Sequence, residues 1–293
     1  MPTAADRTAD QAAARVDRRL TPATARVAHS SLRGVIVAPM YTEGQALRVL
    51  SPYADLLATP GGARDRQLLQ GDRFVVVDRA EGHAFGRAQK DGYCGWVAEA
   101  ALADLPAPTH RVVAPATHLY PEPRVQAHEL VSLSLGALVT VTGPGSGPWV
   151  QTSGGFIPAT HLSPVTEPLT DAAAVAESLL GTPYLWGGNT RGGIDCSGLV
   201  QGAHLVCGIA CPADSDLIQA VAEPLSGPLR RSDLLFWKGH VAMIVDEARL
   251  IHANGHSMSV AYEDTAACIA RIAAQGGGPV TQQGRLAGFS PPA

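Results

Sequence analysis

Charged residues, aromatic residues and long apolar runs are all scarce in this 293-residue sequence, and each scarcity excludes a class of protein. Only 16% of the residues are charged, against about 25% in an average soluble protein, and lysine and arginine form no block. The basic stripe on which nucleic-acid binding depends is therefore missing. With 46% hydrophobic residues, the chain has ample material for a packed core and is not a disordered type.

Targeting signals are also missing from the sequence. No apolar run approaches the roughly 18–20 residues of a membrane-spanning helix. The N-terminus is rich in alanine, arginine and aspartate and lacks the apolar stretch of a secretory signal, so we expect no export, no membrane partner and a cytoplasmic location. The five cysteines are odd in number and irregularly spaced, which favours a reduced compartment over a disulfide framework.

Length and turn content indicate several small units. A chain of 293 residues exceeds one typical domain of about 100–200 residues. The 31 glycines and 22 prolines favour many turns between short strands. We predict a loosely packed leader, two β-rich units and one α+β unit, at residues 1–29, 30–106, 107–166 and 167–293.

The two β-rich units repeat one order of elements. Gly71–Val77 is echoed by Gly136–Val141, and Gly95–Leu102 is echoed by Gly155–Leu162. Strands that repeat in this order between glycine and proline turns predict two tandem small β-barrels. Both units resemble bacterial SH3-like domains, in which a short 3₁₀ turn often follows the second of these elements.

The third unit starts with helix signals and ends with strand signals. Residues 171–180 are rich in alanine and leucine and predict a helix with Thr170 as its N-cap and Gly181 as its end. Cys196 opens a second, amphipathic helix after a glycine-rich segment. One antiparallel sheet is predicted from the strands Leu234–Trp237, Val241–Val245, Leu250–Ala253 and Ser257–Tyr262. The predicted fold class of this unit is α+β.

Cys196 is a candidate catalytic nucleophile. A thiol at a helix N-terminus meets the positive end of the helix dipole and free backbone N–H groups, both of which stabilise a thiolate. An isolated cysteine is more often a small buried hydrophobe, and we interpret the other four cysteines in that way. The series His204, Cys207 and Cys211 lacks a fourth ligand at the spacing of a zinc site.

Two histidines flank a predicted turn at Asp246–Glu247. A hairpin with this turn puts His240 and His252 opposite each other or one step apart, where opposed Cβ atoms are about 4.5–5.5 Å apart. His240 can then take the thiol proton while His252 orients it, which completes a nucleophile, a base and an orienting group. A zinc site formed by Cys196 and both histidines is the alternative, but it leaves the glycine-rich groove unexplained.

Three ordered blocks resemble the NlpC/P60 cysteine peptidases. The blocks are Pro183–Gly188 with Asp195–Gln201, then Asp233–Met243, then Leu250–Asn254. The resemblance implies a papain-like fold of helices packed on an antiparallel sheet, with Cys196, His240 and His252 as catalytic residues. It also implies an oxyanion hole of backbone N–H groups at the helix start. We expect no metal and no other cofactor, and we expect Trp186 and Trp237 to be packing residues.

The order of two SH3-like domains and a peptidase domain resembles γ-D-glutamyl-L-diamino acid endopeptidases, which act on cell-wall peptides. This resemblance implies a small murein peptide with an unblocked N-terminal L-Ala as substrate, in peptidoglycan recycling. The substrate-binding residues that it implies are Tyr184, Asp195, Ser197, Asp214 and Ser215, with Tyr93 and Asp72 from the first SH3-like unit. A free ammonium needs carboxylate partners, and Asp195 and Asp214 can supply them. The alternative for Asp214 is the N-cap of the next helix.

Two further functions fit the same modules. One is a non-catalytic muropeptide-binding or adaptor protein, against which the intact Cys196, His240 and His252 argue. The other is a thiol amidase or acyltransferase, which would use the same nucleophile. In each case we expect a monomer that binds no nucleic acid.

Overall fold

The computed structural model describes residues 16–286, so the first part of the predicted leader, residues 1–15, lies outside the described residues. The rest of the leader packs on the first β unit. Strand β1 (Val27–His29) pairs in parallel with β2 (Met40–Thr42), and the first two side chains of β1 are buried. The expectation of loose packing is therefore wrong for residues 16–29, because this segment adds apolar side chains to the core of the first unit.

The first β unit is a seven-stranded antiparallel sheet in the order β5-β4-β8-β7-β6-β3-β9. Its strands are β3 (Gln45–Val49), β4 (Tyr53–Leu57), β5 (Arg64–Leu69), β6 (Arg73–Ala80), β7 (His83–Ala88), β8 (Cys94–Ala98) and β9 (Leu102–Ala103). Alternation along β6 buries Phe74 and Val76 on one face. Leu56 and Val97 pack against them in the same core.

The second β unit divides its strands among three small antiparallel sheets. The strands are β10 (His110–Val112), β11 (Ala116–Leu119), β12 (Val131–Ser134), β13 (Leu138–Val139), β14 (Val141–Pro144), β15 (Trp149–Thr152), β16 (Gly155–Pro158) and β17 (Leu162–Pro164). The 3₁₀ turn Ala159–His161 precedes β17, just as the 3₁₀ turn Glu99–Ala101 precedes β9. The repeated order of elements is therefore present in the fold.

The third unit is α+β, as predicted. Its helices are α1 (Ala172–Ser178), α2 (Cys196–Val206), α3 (Ser215–Val221) and α4 (Thr265–Ala274). Its strands are β18 (Asn189–Thr190), β19 (Gly193–Ile194), β20 (Glu223–Pro224), β21 (Leu234–Trp237), β22 (His240–Ile244), β23 (Arg249–Asn254), β24 (Ser259–Asp264) and β25 (Gln282–Arg285). Six of these strands form an antiparallel sheet in the order β20-β25-β21-β22-β23-β24. Among the helices described, none combines the length and apolar character needed to cross a membrane.

Helix α2 packs on strands β22 and β23 through one apolar face. Leu199, Val200, Ala203 and Val206 are all buried on this face, as the sequence pattern predicts. The helix begins at Cys196 because the side chain of the preceding aspartate caps it. The sheet therefore fixes the position of the helix, and the aspartate cap fixes its first residue.

The N-cap of α1 differs from the prediction. Asp171, rather than Thr170, accepts a hydrogen bond from the backbone N–H of Ala174 at 3.0 Å. The carboxylate at this position reaches the N–H three residues ahead, which is the geometry of an N-cap. Helix α1 ends at Ser178, and Gly181 follows with φ +75°.

Asp233, directly before β21, is fully buried, and its charge is balanced by an ion pair with Arg285. Its carboxylate accepts hydrogen bonds from Arg285 at 2.6 and 2.9 Å and from the N–H of Arg230 at 2.7 Å. A buried carboxylate that loses its cation keeps its desolvation cost. Asp233, the first residue of the second sequence block, thus joins the start of β21 to β25.

We expect Arg285→Leu to destabilise the fold by about 2 kcal/mol, because Asp233 would stay buried without its guanidinium partner. The matched control is Arg249→Gln, which removes an exposed ion pair with Asp246 and should cost less than about 1 kcal/mol. Urea unfolding of both variants provides the comparison. Equal free energies of unfolding for the two variants would contradict a role for Asp233 in fold stability.

Candidate active site

Cys196 occupies the first position of α2, where the glycine-rich segment ends. Its side chain is 7% exposed. The backbone N–H groups of Ser197 and Val241 lie near the sulfur, and both lower its pKa. Ser197 belongs to the same helix, whereas Val241 follows His240 in β22. The thiol therefore lies where α2 meets the strand that carries His240.

The thiol is protonated in the substrate-free protein. Burial raises the pKa of Cys196 to about 12, and the carboxylate of Asp195 acts in the same direction. The N–H groups at the sulfur and the guanidinium of Arg66 pull the pKa the other way without cancelling the effect of burial. Burial therefore opposes the thiolate that the helix terminus favours, because the sulfur loses hydration. Attack by this sulfur requires a base.

One hairpin brings two imidazoles together. Strands β22 and β23 pair in antiparallel register with Met243 opposite Ile251. Because the turn is centred on Glu247, His240 and His252 are diagonal neighbours on one face, two positions from directly opposite. The predicted register is corrected accordingly. Nε2 of His240 lies 2.9 Å from Nδ1 of His252, which long side chains can reach across a diagonal.

The hydrogen bonds continue beyond His252 to a carboxylate. Nε2 of His252 lies 3.2 Å from Oε2 of Glu263. Both oxygens of Glu263 accept hydrogen bonds from Arg271, each at 2.7 Å. Among the described residues, none hydrogen-bonds Nδ1 of His240, so this nitrogen is available for a thiol proton.

Both imidazoles are neutral near neutral pH. Burial lowers the pKa of His240 to about 3 and the pKa of His252 to about 4. The charge of Arg271 acts in the same direction on both rings, and the charge of Glu263 opposes it. A neutral imidazole is the form that can take a proton from a thiol.

The alternative for Cys196 and the two histidines is a zinc site. The rings of His240 and His252 direct nitrogens at each other, so these atoms do not converge with Cys196 on one ion. Within residues 16–286, the ligand atoms that lie within 4.8 Å of one another are those of His252, Glu263 and Cys268. Arg271 already contacts the last two of these side chains. The ring of His204 hydrogen-bonds a carbonyl of its own helix.

A cavity of about 280 Å³ opens beside Cys196, and two units of the fold line it. The first unit and the segment before it contribute Arg18, Arg19, Asp65 and Tyr93. The third unit contributes Tyr184, Trp186, Asp195, Ser197, Asp214, Ser215 and Asp216. Six of the seven substrate-binding residues predicted from the resemblance therefore line one cavity together with Cys196.

Asp214 holds its carboxylate in the cavity instead of capping α3. It stands at the N-cap position but makes no side-chain cap hydrogen bond, and its φ of +60° is rare for a non-glycine residue. Its Oδ2 accepts hydrogen bonds from the hydroxyl of Tyr93 at 3.1 Å and from Arg19 at 2.8 Å. The N-cap alternative for Asp214 is therefore wrong, because its side chain makes no cap hydrogen bond and its carboxylate is held by Tyr93 and Arg19.

Asp195 is the N-cap of α2, and both oxygens of its carboxylate accept hydrogen bonds within the protein. It accepts hydrogen bonds from the N–H groups of Gly198 at 2.6 Å and Gly187 at 2.9 Å. The buried guanidinium of Arg66 donates to Asp195 at 3.1 and 3.2 Å and to Ser197 at 2.8 Å. Asp195 therefore ties α2 to the first β unit, and its role in binding a substrate ammonium stays a prediction.

Two further predictions about this region are corrected. Asp72 does not line the cavity, because its carboxylate accepts from the N–H of Leu69 at 2.9 Å and from Lys90 at 2.6 Å, within the first unit. Trp186 is not a packing residue, since its side chain is 70% exposed and lines the cavity. Trp237 is buried, as expected.

Pattern reasoning missed three side chains of the site. Glu263 could have been predicted from the pairing of strands, because β24 pairs with β23 so that Ala261 lies opposite His252. That register makes Glu263 a diagonal neighbour of His252 on the same face. Arg66 and Arg19 have no such local signal, since they lie 129 and 195 residues from the carboxylates that they contact.

Two family models match this chain. The model described as "Bacterial dipeptidyl-peptidase Sh3 domain" matches residues 56–102, within the first β unit. The model of the NlpC/P60 family matches residues 181–274. The second match contains Cys196, His240 and His252.

Several named proteins are similar to this chain. Dipeptidyl-peptidase 6 of Lysinibacillus sphaericus is 30% identical over 151 residues, which cover 45% of this chain and 56% of that protein. A probable endopeptidase of Mycobacterium tuberculosis is 30% identical over 125 residues, or 40% of this chain and 32% of that protein. The chain thus spans about half of the first relative and about a third of the second. The Gamma-D-glutamyl-L-lysine dipeptidyl-peptidase of Bacillus cereus is 25% identical over 240 residues, which cover 70% of this chain and 72% of that protein.

Solved structures give the same fold. An NlpC/P60 family protein from Bacillus cereus superposes with a TM-score of 0.70, covers 83% of this chain and 99% of that chain, and is 19% identical. An NlpC/P60 endopeptidase from Photobacterium damselae has a TM-score of 0.56, covers 84% of this chain and 74% of that chain, and is 13% identical. Since both family models match within this fold, residues 181–274 form an NlpC/P60 domain, and a bacterial SH3 domain at residues 56–102 precedes it.

Proposed function

We propose that this chain is a cysteine endopeptidase that hydrolyses the γ-D-glutamyl-L-diamino acid bond of free murein peptides with an unblocked N-terminal L-Ala. The observation that carries the proposal is the cavity in which Cys196 shares a wall with carboxylates from two units of the fold. A peptide that enters this cavity with its amino terminus meets negative charge and then reaches the sulfur. Two similar Bacillus proteins, both named Gamma-D-glutamyl-L-lysine dipeptidyl-peptidase, support this substrate class.

The proposed chemistry begins with proton transfer from the Sγ of Cys196 to Nδ1 of His240. The sulfur attacks the γ-glutamyl carbonyl carbon, and backbone N–H groups at the start of α2 stabilise the oxyanion. The imidazolium of His240 then protonates the leaving amine of the diamino acid, and an acyl-enzyme remains on the sulfur. Water, deprotonated by His240, attacks the thioester, which releases the L-Ala-γ-D-Glu acid and restores the thiol.

Recognition of the free amino terminus rests on Asp214. Its Oδ2 is held by Tyr93 and Arg19, whereas Oδ1 accepts no hydrogen bond from the described residues. The nearest cation to Oδ1 is Arg66, at 3.6 Å. An ammonium group can therefore donate to Oδ1 while Tyr93 and Arg19 keep the carboxylate in place. A blocked amine offers no charge and leaves this acceptor unpaired.

The compartment and the pathway are part of the same proposal. All five cysteines are free thiols, a state that persists in a reducing compartment such as the cytoplasm. Murein peptides there have left the cell wall and expose the amino group that the cavity can recognise. Peptides still attached to glycan lack this amine, so the same recognition restricts the enzyme to recycling.

We expect Cys196→Ala to reduce hydrolysis of L-Ala-γ-D-Glu-diaminopimelate by more than about 1000-fold, because no acyl-enzyme can form. Cys207→Ala removes a cysteine that does not line the cavity and should leave the rate unchanged. Products are identified by mass spectrometry with and without an added acceptor amine. Turnover by Cys196→Ala would refute the nucleophile, and transfer to the amine in place of water would identify an acyltransferase.

N-acetylation of the same peptide should lower kcat/KM by about 100-fold or more, because Oδ1 of Asp214 would lose its charged partner. Asp214→Asn should lower kcat/KM for the free peptide, and it should narrow the ratio of kcat/KM between the free and the acetylated peptide. The measurement is a comparison of both peptides with both proteins. Equal rates of the wild-type enzyme on free and acetylated peptide would remove the amine requirement from the proposal.

The pH profile of kcat/KM should have an acid limb well below the ordinary histidine pKa. His240 acts as a neutral base, and its pKa is lowered to about 3, so activity is lost only when the pH falls far enough to protonate it. An alkaline limb is expected near about pH 8, where the peptide amino group loses its proton. An acid limb at the pKa of an ordinary histidine would contradict the buried, neutral base.

A further inference from the structure

Glu263 is an ionised carboxylate at the end of the histidine pair. Arg271 donates one hydrogen bond to each of its oxygens, at 2.7 Å, from Nε and from one terminal nitrogen. This ion pair lowers the pKa of Glu263 to about 2, so the group acts only as an acceptor at neutral pH. The side chain of His252, which faces it, is fully buried.

Because Glu263 can only accept hydrogen bonds, it determines which nitrogen of His252 and which nitrogen of His240 carries the hydrogen. Nε2 of His252 must carry a hydrogen to bond Glu263 at 3.2 Å, so Nδ1 of the neutral ring is an acceptor. Nε2 of His240, at 2.9 Å, must then donate to that Nδ1. The remaining nitrogen of His240, Nδ1, is left with a lone pair. This is the tautomer that a base for Cys196 requires.

We propose that Glu263 is a positioning residue that selects this tautomer in both histidines, with Arg271 holding it in place. The inference rests on the proposed function, in which Cys196, His240 and His252 perform the reaction. Glu263 itself touches neither the sulfur nor the substrate. It acts through His252, and it stays ionised while the thiol proton moves to Nδ1 of His240 and later to the leaving amine.

The same carboxylate stabilises the imidazolium that forms during the reaction. Besides the rings themselves and the thiol of Cys196, the groups that act on the charge of the two rings include Arg271, Glu263 and His256. Arg271 disfavours a positive charge on His240, and Glu263 is the group in this set that favours it. Loss of the negative charge would leave Arg271 unopposed beside the forming imidazolium.

Replacement of Glu263 by glutamine tests the tautomer directly. Arg271 offers two donors and needs an oxygen, whereas Glu263→Gln has one oxygen and one NH₂ group. The cation takes the oxygen, so the NH₂ group turns to His252, whose Nε2 must become an acceptor. The hydrogen of His252 moves to Nδ1, and His240 is forced to carry its hydrogen on the nitrogen that should receive the thiol proton.

We expect Glu263→Gln to lower kcat by about 100-fold with KM changed less than about twofold, because the wrong tautomer impairs the base and not the binding cavity. Nitrogen NMR of the imidazoles should show the hydrogen on Nε2 of His252 in the wild type and on Nδ1 in Glu263→Gln. Glu263→Asp, which keeps two carboxylate oxygens, should retain the wild-type tautomer and recover part of the rate.

A second substitution separates this role from a structural one. In Glu263→Gln/Arg271→Met the amide is released from the guanidinium and can turn its oxygen to His252. We expect kcat of the double variant to exceed that of Glu263→Gln by about tenfold, although a second contact has been lost. A purely structural role predicts a further loss.

The matched control is Glu177→Gln, which removes an arginine-paired carboxylate of similar exposure that contacts Tyr262 and neither histidine. Its kcat should equal that of the wild type. Wild-type kcat in Glu263→Gln, or unchanged imidazole tautomers, would overturn the inference while the proposed function stood. A wild-type protein with no peptidase activity would refute the proposed function, and the NMR comparison would still test what Glu263 does to the rings.

Discussion

The burial of Cys196 is the constraint on which the rest of the site depends. Cys196 is only 7% exposed, and burial raises the pKa of its thiol to about 12 despite its position at a helix N-terminus. Such a nucleophile needs a base with a free lone pair at the moment of attack. His240 supplies that lone pair only in one tautomer, which its bond to His252 selects. Activation of the sulfur would thus depend on the hairpin of β22 and β23 as well as on the helix that carries Cys196.

A second feature of the site is that two units build it together. Arg66 of the first β unit contacts the cap of α2 through Asp195, and Tyr93 of the same unit contacts Asp214. Arg19, from the segment before that unit, bonds the same carboxylate. The SH3 domain therefore completes the cavity beside the sulfur. Without the first β unit, Asp195 would lose the guanidinium of Arg66 and Asp214 would lose the hydroxyl of Tyr93.

Local periodicity and spacing were sufficient for much of this architecture. The apolar face of α2 and the strands around His240 follow from patterns within a few residues of each other, and the 3₁₀ turns follow from the resemblance to bacterial SH3-like domains. The domain boundaries at residues 30, 107 and 167 stay a prediction, as do the roles of the site residues. The sequence predicts His240 and His252 opposite or one step apart, whereas the structure places them diagonally. The difference arises because a shift of the turn centre by one residue changes the register of a whole hairpin.

Other parts of the site had no local signal. The protonation of Cys196 depends on how much protein covers it, and the free oxygen of Asp214 depends on partners from distant segments. Asp195 and Asp72 have the charge that an ammonium needs, but each is already used by nearby N–H groups and a cation. Sequence spacing identifies a carboxylate, whereas only the fold decides whether its oxygens remain open to a ligand.

The central claim concerns the resting state of one sulfur, and the ultraviolet absorbance of the thiolate measures it directly. The difference spectrum between the wild-type protein and Cys196→Ala, recorded across pH, isolates this sulfur from the other four. The account predicts no thiolate absorbance from Cys196 at neutral pH and its appearance only in strongly alkaline solution. A thiolate signal at neutral pH would mean that Cys196 and His240 rest as an ion pair, and the argument built on a buried thiol and a neutral base would fail.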